Sequence, residues 1–362
     1  MGKKIIKTPT TLMHHIYLAD MAGCGYIRCI FPSMLLSQYN HDSRVHFMPS
    51  YGMHWINDPS YYKNLLFMMF QRSATDEQLK LIKHCKEHFR IKTKTPMLYE
   101  IDDLLIDIPE WNFANEYYKK YSKTATEIMK EVDAIIVSTN KLKEIYSQYN
   151  SKIEVQPNHL PKSFWGDPIY NVYNNKKPKI LWAGSGNHFS SDKNIKGGDF
   201  GNNLLNFIHK TTDVYEWHLI GGCPLELKNN DKIIKHGWID IFNYPNYLKS
   251  LNIDLGIAPL EQNLFNECKS NIKALEYTAA GIPAIYTDIY PYKNLTSIAK
   301  TDEEMISKIE YNLTNHIKND SLKNIWENDY KKLKDILFWE NNNNLIKYYN
   351  RLIGFFGLKL PK

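Results

Sequence analysis

The stretch from Phe265 to Asp288, FNECKSNIKALEYTAAGIPAIYTD, gathers residue types that can do chemistry together. Lys269, Ser270 and Lys273 cluster where a helix begins. Free backbone N–H groups and the positive end of the helix macrodipole converge at such a start, so added cations and a hydroxyl make it an anion site. Glu276 follows about a turn and a half further on, where a carboxylate accepts hydrogen bonds from sugar hydroxyls. The helix itself is legible. Ser270 or Asn271 serves as N-cap, Ala274, Leu275, Thr278 and Ala279 recur at helical spacing, and Gly281 and Pro283 stop it ahead of a short apolar strand. A plain amphipathic helix packed on a parallel sheet accounts for the same pattern and stands beside the binding reading.

A second cluster is Glu100-Ile101-Asp102-Asp103-Leu104, at the C-terminal end of an expected strand. Three carboxylates so close repel one another, and a fold keeps them mainly where they act. Asp102 or Asp103 is a candidate general base on an acceptor hydroxyl. A helix N-cap and a Mg2+ site are the competing readings. Near the start, DMAGCGYIRC places Gly23 and Gly25 between a strand and a helix, where backbone can approach a ligand, with Arg28 in the first turn. It lacks the third glycine of a dinucleotide fingerprint, and no acid ends a clear second strand, so a nicotinamide enzyme fits poorly. Arg72 ends another strand, as a ligand contact or a solvated loop arginine. Later, GSGNHFSSDKNIKGGDFG offers a nest of N–H donors for phosphate oxygens without the spacing of a Walker loop.

Strands and helices must alternate to position these residues. In the first half, strands are expected at 12–18, 44–48, 64–70, 97–101, 133–138 and 152–156, with helices at 26–38, 75–89, 114–131 and 139–149. After a linker rich in proline and asparagine, with Pro157, Pro161 and Pro168, the alternation restarts. Strands are expected at 179–183, 216–220, 232–238 and 254–259 and after Pro283, with helices at 202–210, 244–251, 301–317 and 321–337. Trp238 in HGWI is read as a core residue at a strand end, with its neighbouring backbone as a candidate base contact.

The chain has 362 residues, 43% hydrophobic and 13% aromatic, enough for two cored domains. No run approaches a membrane span, and MGKKIIKTPTT has no apolar signal core, so a soluble cytoplasmic protein without stable membrane insertion is expected. Five scattered cysteines suggest neither a zinc site nor a disulfide framework. The net charge of +6 suits a polyanionic partner, and KHCKEHFRIKTK at 83–94 is a basic segment fit for DNA phosphates or a membrane surface.

KSNIKALEYTAAGIPAI resembles the donor-binding helix of the GT-B glycosyltransferases, in which an acidic residue precedes a Glu by some two turns and Gly-x-Pro and a strand follow. Glu276 matches the second acid. Glu267 lies one residue too early for the first, and Cys268 holds that slot. Lys196, before Gly197, matches the family's diphosphate lysine, while the usual arginine after the strand is missing, leaving His188 or Lys193 as substitutes. GCGYIR followed by FP, and YEIDDLL, resemble members often encoded by bacteriophages. The resemblance implies an α/β fold of two doubly wound Rossmann-like domains facing a cleft. Residues 1–158 would form the acceptor domain, 159–340 the nucleotide-sugar domain, and 341–362 a helix crossing back. It implies a donor such as a UDP-sugar, with no metal or other cofactor required. Gly23, Gly25, Lys196, Lys269, Ser270, Lys273 and Glu276 would bind the donor. Asp102 or Asp103 would act as base, and Arg28, Arg72 and His188 would contact acceptor or phosphate. The expected acceptor is a 5-hydroxymethylated pyrimidine in double-stranded phage DNA, modified in the host cytoplasm. A cytoplasmic glycan, lipid-linked sugar or protein acceptor, and a non-catalytic nucleotide-sugar-binding protein, are the alternatives.

Overall fold

Short β-branched and aromatic runs separated by capped helices build two all-parallel sheets in the computed structural model, which describes residues 12–19, 23–39, 41–47, 65–91, 94–173, 175–195 and 197–354. The chain divides into two units. Unit 1 comprises 1–102, 121–156 and 345–362, and unit 2 comprises 103–120 and 157–344.

In unit 1 the strands are β1 (Leu12–Leu18), β2 (His41–Phe47), β3 (Leu65–Gln71), β4 (Met97–Ile101), β5 (Ala134–Val137) and β6 (Ile153–Val155). Their order is β2-β1-β3-β4-β5-β6, so the direction of winding reverses between β1 and β3. Such a reversal opens a crevice beyond the strand ends, where doubly wound sheets take ligands. Met68, Phe70, Leu98, Tyr99, Ile135 and Ile136 are fully buried, as continuous apolar strands covered on both faces require. Thr75 caps Asp76–Cys85 through a capping box with Gln78, which explains why that helix starts where the sequence predicts. The C-terminal helix Asn344–Gly354 belongs to this unit's packing: Tyr349 donates to or accepts from His14 Nδ1 at 3.0 Å, and Tyr348 is buried. Met48, Asn64, Phe355 and Phe356, which the sequence places in elements of this unit, lie outside the described residues.

Unit 2 contains β7 (Lys179–Gly184), β8 (Glu216–Gly221), β9 (Ile234–Lys235), β10 (Leu255–Ala258), β11 (Ala284–Thr287) and β12 (Ile298–Ala299). The order β12-β11-β10-β7-β8-β9 puts the reversal between β7 and β10. The expected edge strand at 232–238 shrinks to the two residues of β9, and β12 is an addition the sequence does not announce. Helices Asn202–Lys210, Asp302–Asn319 and Ser321–Leu337 lie close to expectation, the second capped by the Thr301 side chain.

The helix Ile272–Ala280 is pinned by its own buried face. Tyr277 donates its hydroxyl to the Ile257 carbonyl at 3.1 Å and accepts from the Ala183 N–H at 3.2 Å, tying the helix to β10 and β7. Gly281 ends it in the left-handed region, at φ 78°. A Cβ there would lie 2.0 Å from the Ile169 carbonyl oxygen. Gly281→Ala is therefore expected to destabilise unit 2 by more than the ~1–2 kcal/mol of left-handed strain alone, read as a lower denaturant midpoint with unchanged slope.

Candidate donor site of unit 2

The N-terminus of Ile272–Ala280 falls beside the end of β7, at the reversal point of the sheet. Asn271 sits at the N-cap without a side-chain cap, so the first turn is left open to a ligand. Ser270 Oγ instead accepts from Asn158 Nδ2 at 2.7 Å, which fixes the turn that enters the helix. Lys273 is buried, with its ammonium donating to the Ala183 carbonyl and lying 5.2 Å from the Trp182 ring centroid. Burial pulls its pKa down, and Glu276, one turn along, pulls it back up. For Glu276 burial dominates in the upward direction, with Lys273 opposing. Its carboxylate has only a long contact to Tyr244 Oη, at 3.5 Å, and keeps acceptor capacity for hydroxyls.

Asp199, absent from the sequence-derived site, is the hub of the adjoining loop. It is buried, and its two oxygens receive four donors: the Glu261 N–H at 2.9 Å, Asn266 Nδ2 at 2.6 Å, His188 Nδ1 at 2.6 Å and Lys269 Nζ at 3.4 Å. Burial opposes its charge, yet Lys269 and these hydrogen bonds outweigh burial and hold its pKa at about 2. His188 is pushed the other way. Burial, then Lys269 and Lys273, lower it to about 3 against the pull of Asp199. A Cβ built on Gly184 would meet Lys273 Nζ at 2.6 Å, the Trp182 ring at 2.7 Å and His188 Cδ2 at 3.0 Å, so these three groups pack together against a glycine where no side chain would fit. Part of the wall comes from early in the chain: Trp111 donates to Glu261 Oε2 at 2.7 Å and would clash at 2.3 Å with a Cβ on Gly197. Lys196 lies outside the described residues.

His14 and His15 of unit 1 are likewise held neutral, each with its pKa lowered to about 3 chiefly by burial. A buried histidine of this kind binds fewer protons folded than unfolded below its ordinary 6.5. Its contribution is intact above that value and lost as pH falls toward 3. With His188 included, stability is expected to fall by roughly 1.4 kcal/mol per pH unit for each histidine well below pH 6.5. Denaturant midpoints followed from neutral to mildly acid pH check this, and flat midpoints would refute it.

The remaining expected site residues lie in unit 1 or at its margin. Gly23 and Gly25 are the first residues of a helical run over 23–36, with Gly25 at φ −59°, so the glycine pair stands at a helix start. Arg28 departs from expectation: it is buried against Glu100, not presented to an acceptor or phosphate. The three carboxylates of 100–103 therefore do not share one site. Glu100 turns into the core, while Asp102 Oδ1 receives Arg72 at 3.4 Å and the Asp102 carbonyl receives Ser138 Oγ at 2.8 Å. Arg72 holds φ 49° and also donates to Cys24 Sγ at 3.3 Å, a strained residue at a strand end of the kind that marks functional positions. Asp103 is assigned to unit 2. In the basic segment, Lys83, Lys86 and Arg90 pair with Glu127, Glu131 and Asp133, which lessens its attraction for a polyanion. Trp238 is 69% exposed rather than core, beside Gly221. Among the described residues no helix is long and apolar enough to cross a membrane, and no group of three or more His, Cys, Asp or Glu is placed to hold a metal ion.

No protein-family model matches the sequence, and no curated protein matches it. Solved structures do. A glycosyltransferase from Rickettsia africae ESF-5 superposes over 97% of this chain and 100% of its own, with a TM-score of 0.58 at 12% identity. The N-terminal domain of Candida albicans trehalose-6-phosphate phosphatase covers 99% of both chains, with a TM-score of 0.53 at 10% identity. The fold is GT-B. At these identities the likeness is one of fold. The GT-B architecture explains the two parallel sheets and the reversal point, whereas the convergence at Gly184 belongs to this chain's own side chains.

Proposed function

We propose that this chain is a glycosyltransferase using a nucleotide-diphosphate sugar, with the diphosphate resting on unit 2 at the start of helix Ile272–Ala280. The observation that carries the reading is the meeting of the Lys273 ammonium and the His188 ring at Gly184, beside an uncapped helix start at the reversal point of a parallel sheet. A buried cation at such a start, here Lys273, suits an anionic leaving group, because it is already oriented and needs no rearrangement as charge develops. In this reading Lys269, Ser270 and Lys196 complete the diphosphate contacts, and Glu276 accepts from ribose or sugar hydroxyls. The bond from the sugar's anomeric carbon to the diphosphate breaks, the acceptor oxygen bonds to that carbon, and Asp102 takes the acceptor proton with Arg72 holding its carboxylate in place.

The test incubates the protein with UDP- and GDP-sugars and, in turn, hydroxymethylcytosine DNA, hydroxymethyluracil DNA, unmodified DNA and glycan acceptors, followed by mass spectrometry of the products. A product heavier by one sugar residue establishes the activity and names donor and acceptor. A gain confined to hydroxymethylated nucleosides supports the DNA acceptor proposed from the sequence, and a gain confined to glycans replaces it. Nucleotide sugars that bind but are neither hydrolysed nor transferred would leave a binding protein instead. With the true acceptor, Asp102→Asn is expected to lower kcat by about 100-fold or more with little change in donor KM, the worth of a general base.

A further inference from the structure

The His188–Asp199 pair is built beyond what anchoring a loop requires. Asp199 Oδ2 accepts from His188 Nδ1 at 2.6 Å, and the three other donors on the carboxylate keep it charged and immobile. That contact fixes the proton of the neutral ring on Nδ1, so Nε2 carries a lone pair. The Cδ2 edge, next to Nε2, packs against Gly184, as Lys273 Nζ also does. The groups around the ring are Asp199 on its own loop, Lys269 just before the helix, Lys273 on the helix and, through Lys273, Glu276. Two ammonium groups against a single directly bonded carboxylate leave no room for a third positive charge while the site is empty.

A bound diphosphate reverses that sign. It brings two negative charges to the helix start beside the His188 ring and Lys273, and a bare Nε2 offers an anion nothing until it is protonated. We infer that binding of a nucleotide sugar protonates His188 at Nε2, and that the imidazolium, clamped between Asp199 and the diphosphate, shares the charge that develops on the leaving group. The proton comes from solvent on binding, and no bond other than this N–H is made. His188 thus does the work of a fixed cation only when donor is present, with Asp199 as its positioning residue. The inference rests on the donor reading given above.

The experiment uses the full chain with ring-15N histidine and two probes, UDP-glucose and GDP-mannose, whose diphosphate diesters have no group titrating near neutrality. Without ligand, the His188 ring nitrogens are expected to report the neutral Nδ1–H tautomer. With saturating probe they are expected to report the imidazolium. Calorimetry in buffers of different ionisation enthalpy supplies a second readout, expected to give uptake of nearly one proton per probe bound. In His188→Gln that uptake vanishes and affinity falls roughly tenfold, the loss of one charge-assisted hydrogen bond. Glu276→Gln is expected to bind the probe more weakly, and at saturating probe its uptake per probe bound persists. A ring that stays neutral in the complex overturns the inference, as does uptake that survives in His188→Gln and disappears in Glu276→Gln. Both results leave the donor site standing. Failure of every nucleotide sugar to bind removes the donor reading and this inference together, so the two failures are told apart.

Discussion

Lys273→Met is expected to weaken nucleotide-sugar binding by about 30- to 150-fold while leaving the protein as stable as before or slightly more so. The two halves of that result have one cause. The Lys273 ammonium is buried with the Ala183 carbonyl and the face of Trp182 as its direct partners, and burial lowers its pKa. An ammonium in such surroundings costs stability, because one carbonyl and an indole replace only part of its hydration. Methionine has similar length and no charge, so it fills much the same buried volume and removes the cost. A diphosphate, by contrast, gains a desolvated, pre-aimed cation in the native protein and loses it in the variant. Calorimetric Kd values and thermal midpoints on the same preparations decide the matter. A variant that binds normally and melts several degrees lower would make Lys273 a structural residue and would undo the assignment of the site.

Much of this architecture is legible from one sequence because its determinants are local. Thr75 with Gln78, Thr139 and Thr301 announce helix starts, and the apolar runs Leu65–Gln71 and Met97–Ile101 can only be buried strands. The helix Ile272–Ala280 and its Gly281 stop carry their own spacing. What stays hidden is whatever depends on distant partners. Asp199 reads as one more polar loop residue, since His188, Glu261, Asn266 and Lys269 meet it only in the fold. Nothing in the segment 103–120 says that Trp111 will pack against Gly197 in unit 2. Local rules also start the first helix at Tyr26, three residues late, because a glycine pair reads as a loop until the helical run is seen to begin at Gly23 itself. Trp238 shows the converse: an aromatic residue near an edge strand looks like core, but β9 ends three residues earlier and leaves the indole exposed.

Arg28 is the sharpest of these corrections, and it carries the second large effect: Glu100→Ala is expected to destabilise unit 1 by about 3–5 kcal/mol. Arg28 Nε lies 2.6 Å from Glu100 Oε1 with both side chains almost wholly inaccessible, and Arg28 also donates to the Gln156 carbonyl at 2.5 Å. The Gln156 side chain in turn accepts from Arg351 at 2.5 Å. The pair therefore joins the helical run 23–36, β4, the residue following β6 and the C-terminal helix. Removing the carboxylate leaves a guanidinium in a buried site without its charged partner, and for a unit of this size the loss corresponds to a fall in Tm of roughly 10 °C. Arg28→Met strands the carboxylate and is expected to cost about as much. The double variant Arg28→Met/Glu100→Leu removes both charges and is expected to recover most of the loss, because the attraction in a buried pair mainly offsets the desolvation of its members. A large coupling in that cycle identifies Arg28 as a structural cation. Single variants that melt within a degree or two of the wild type, with nucleotide-sugar or acceptor affinity lost, would return Arg28 to the role its position at the head of the first helix suggests.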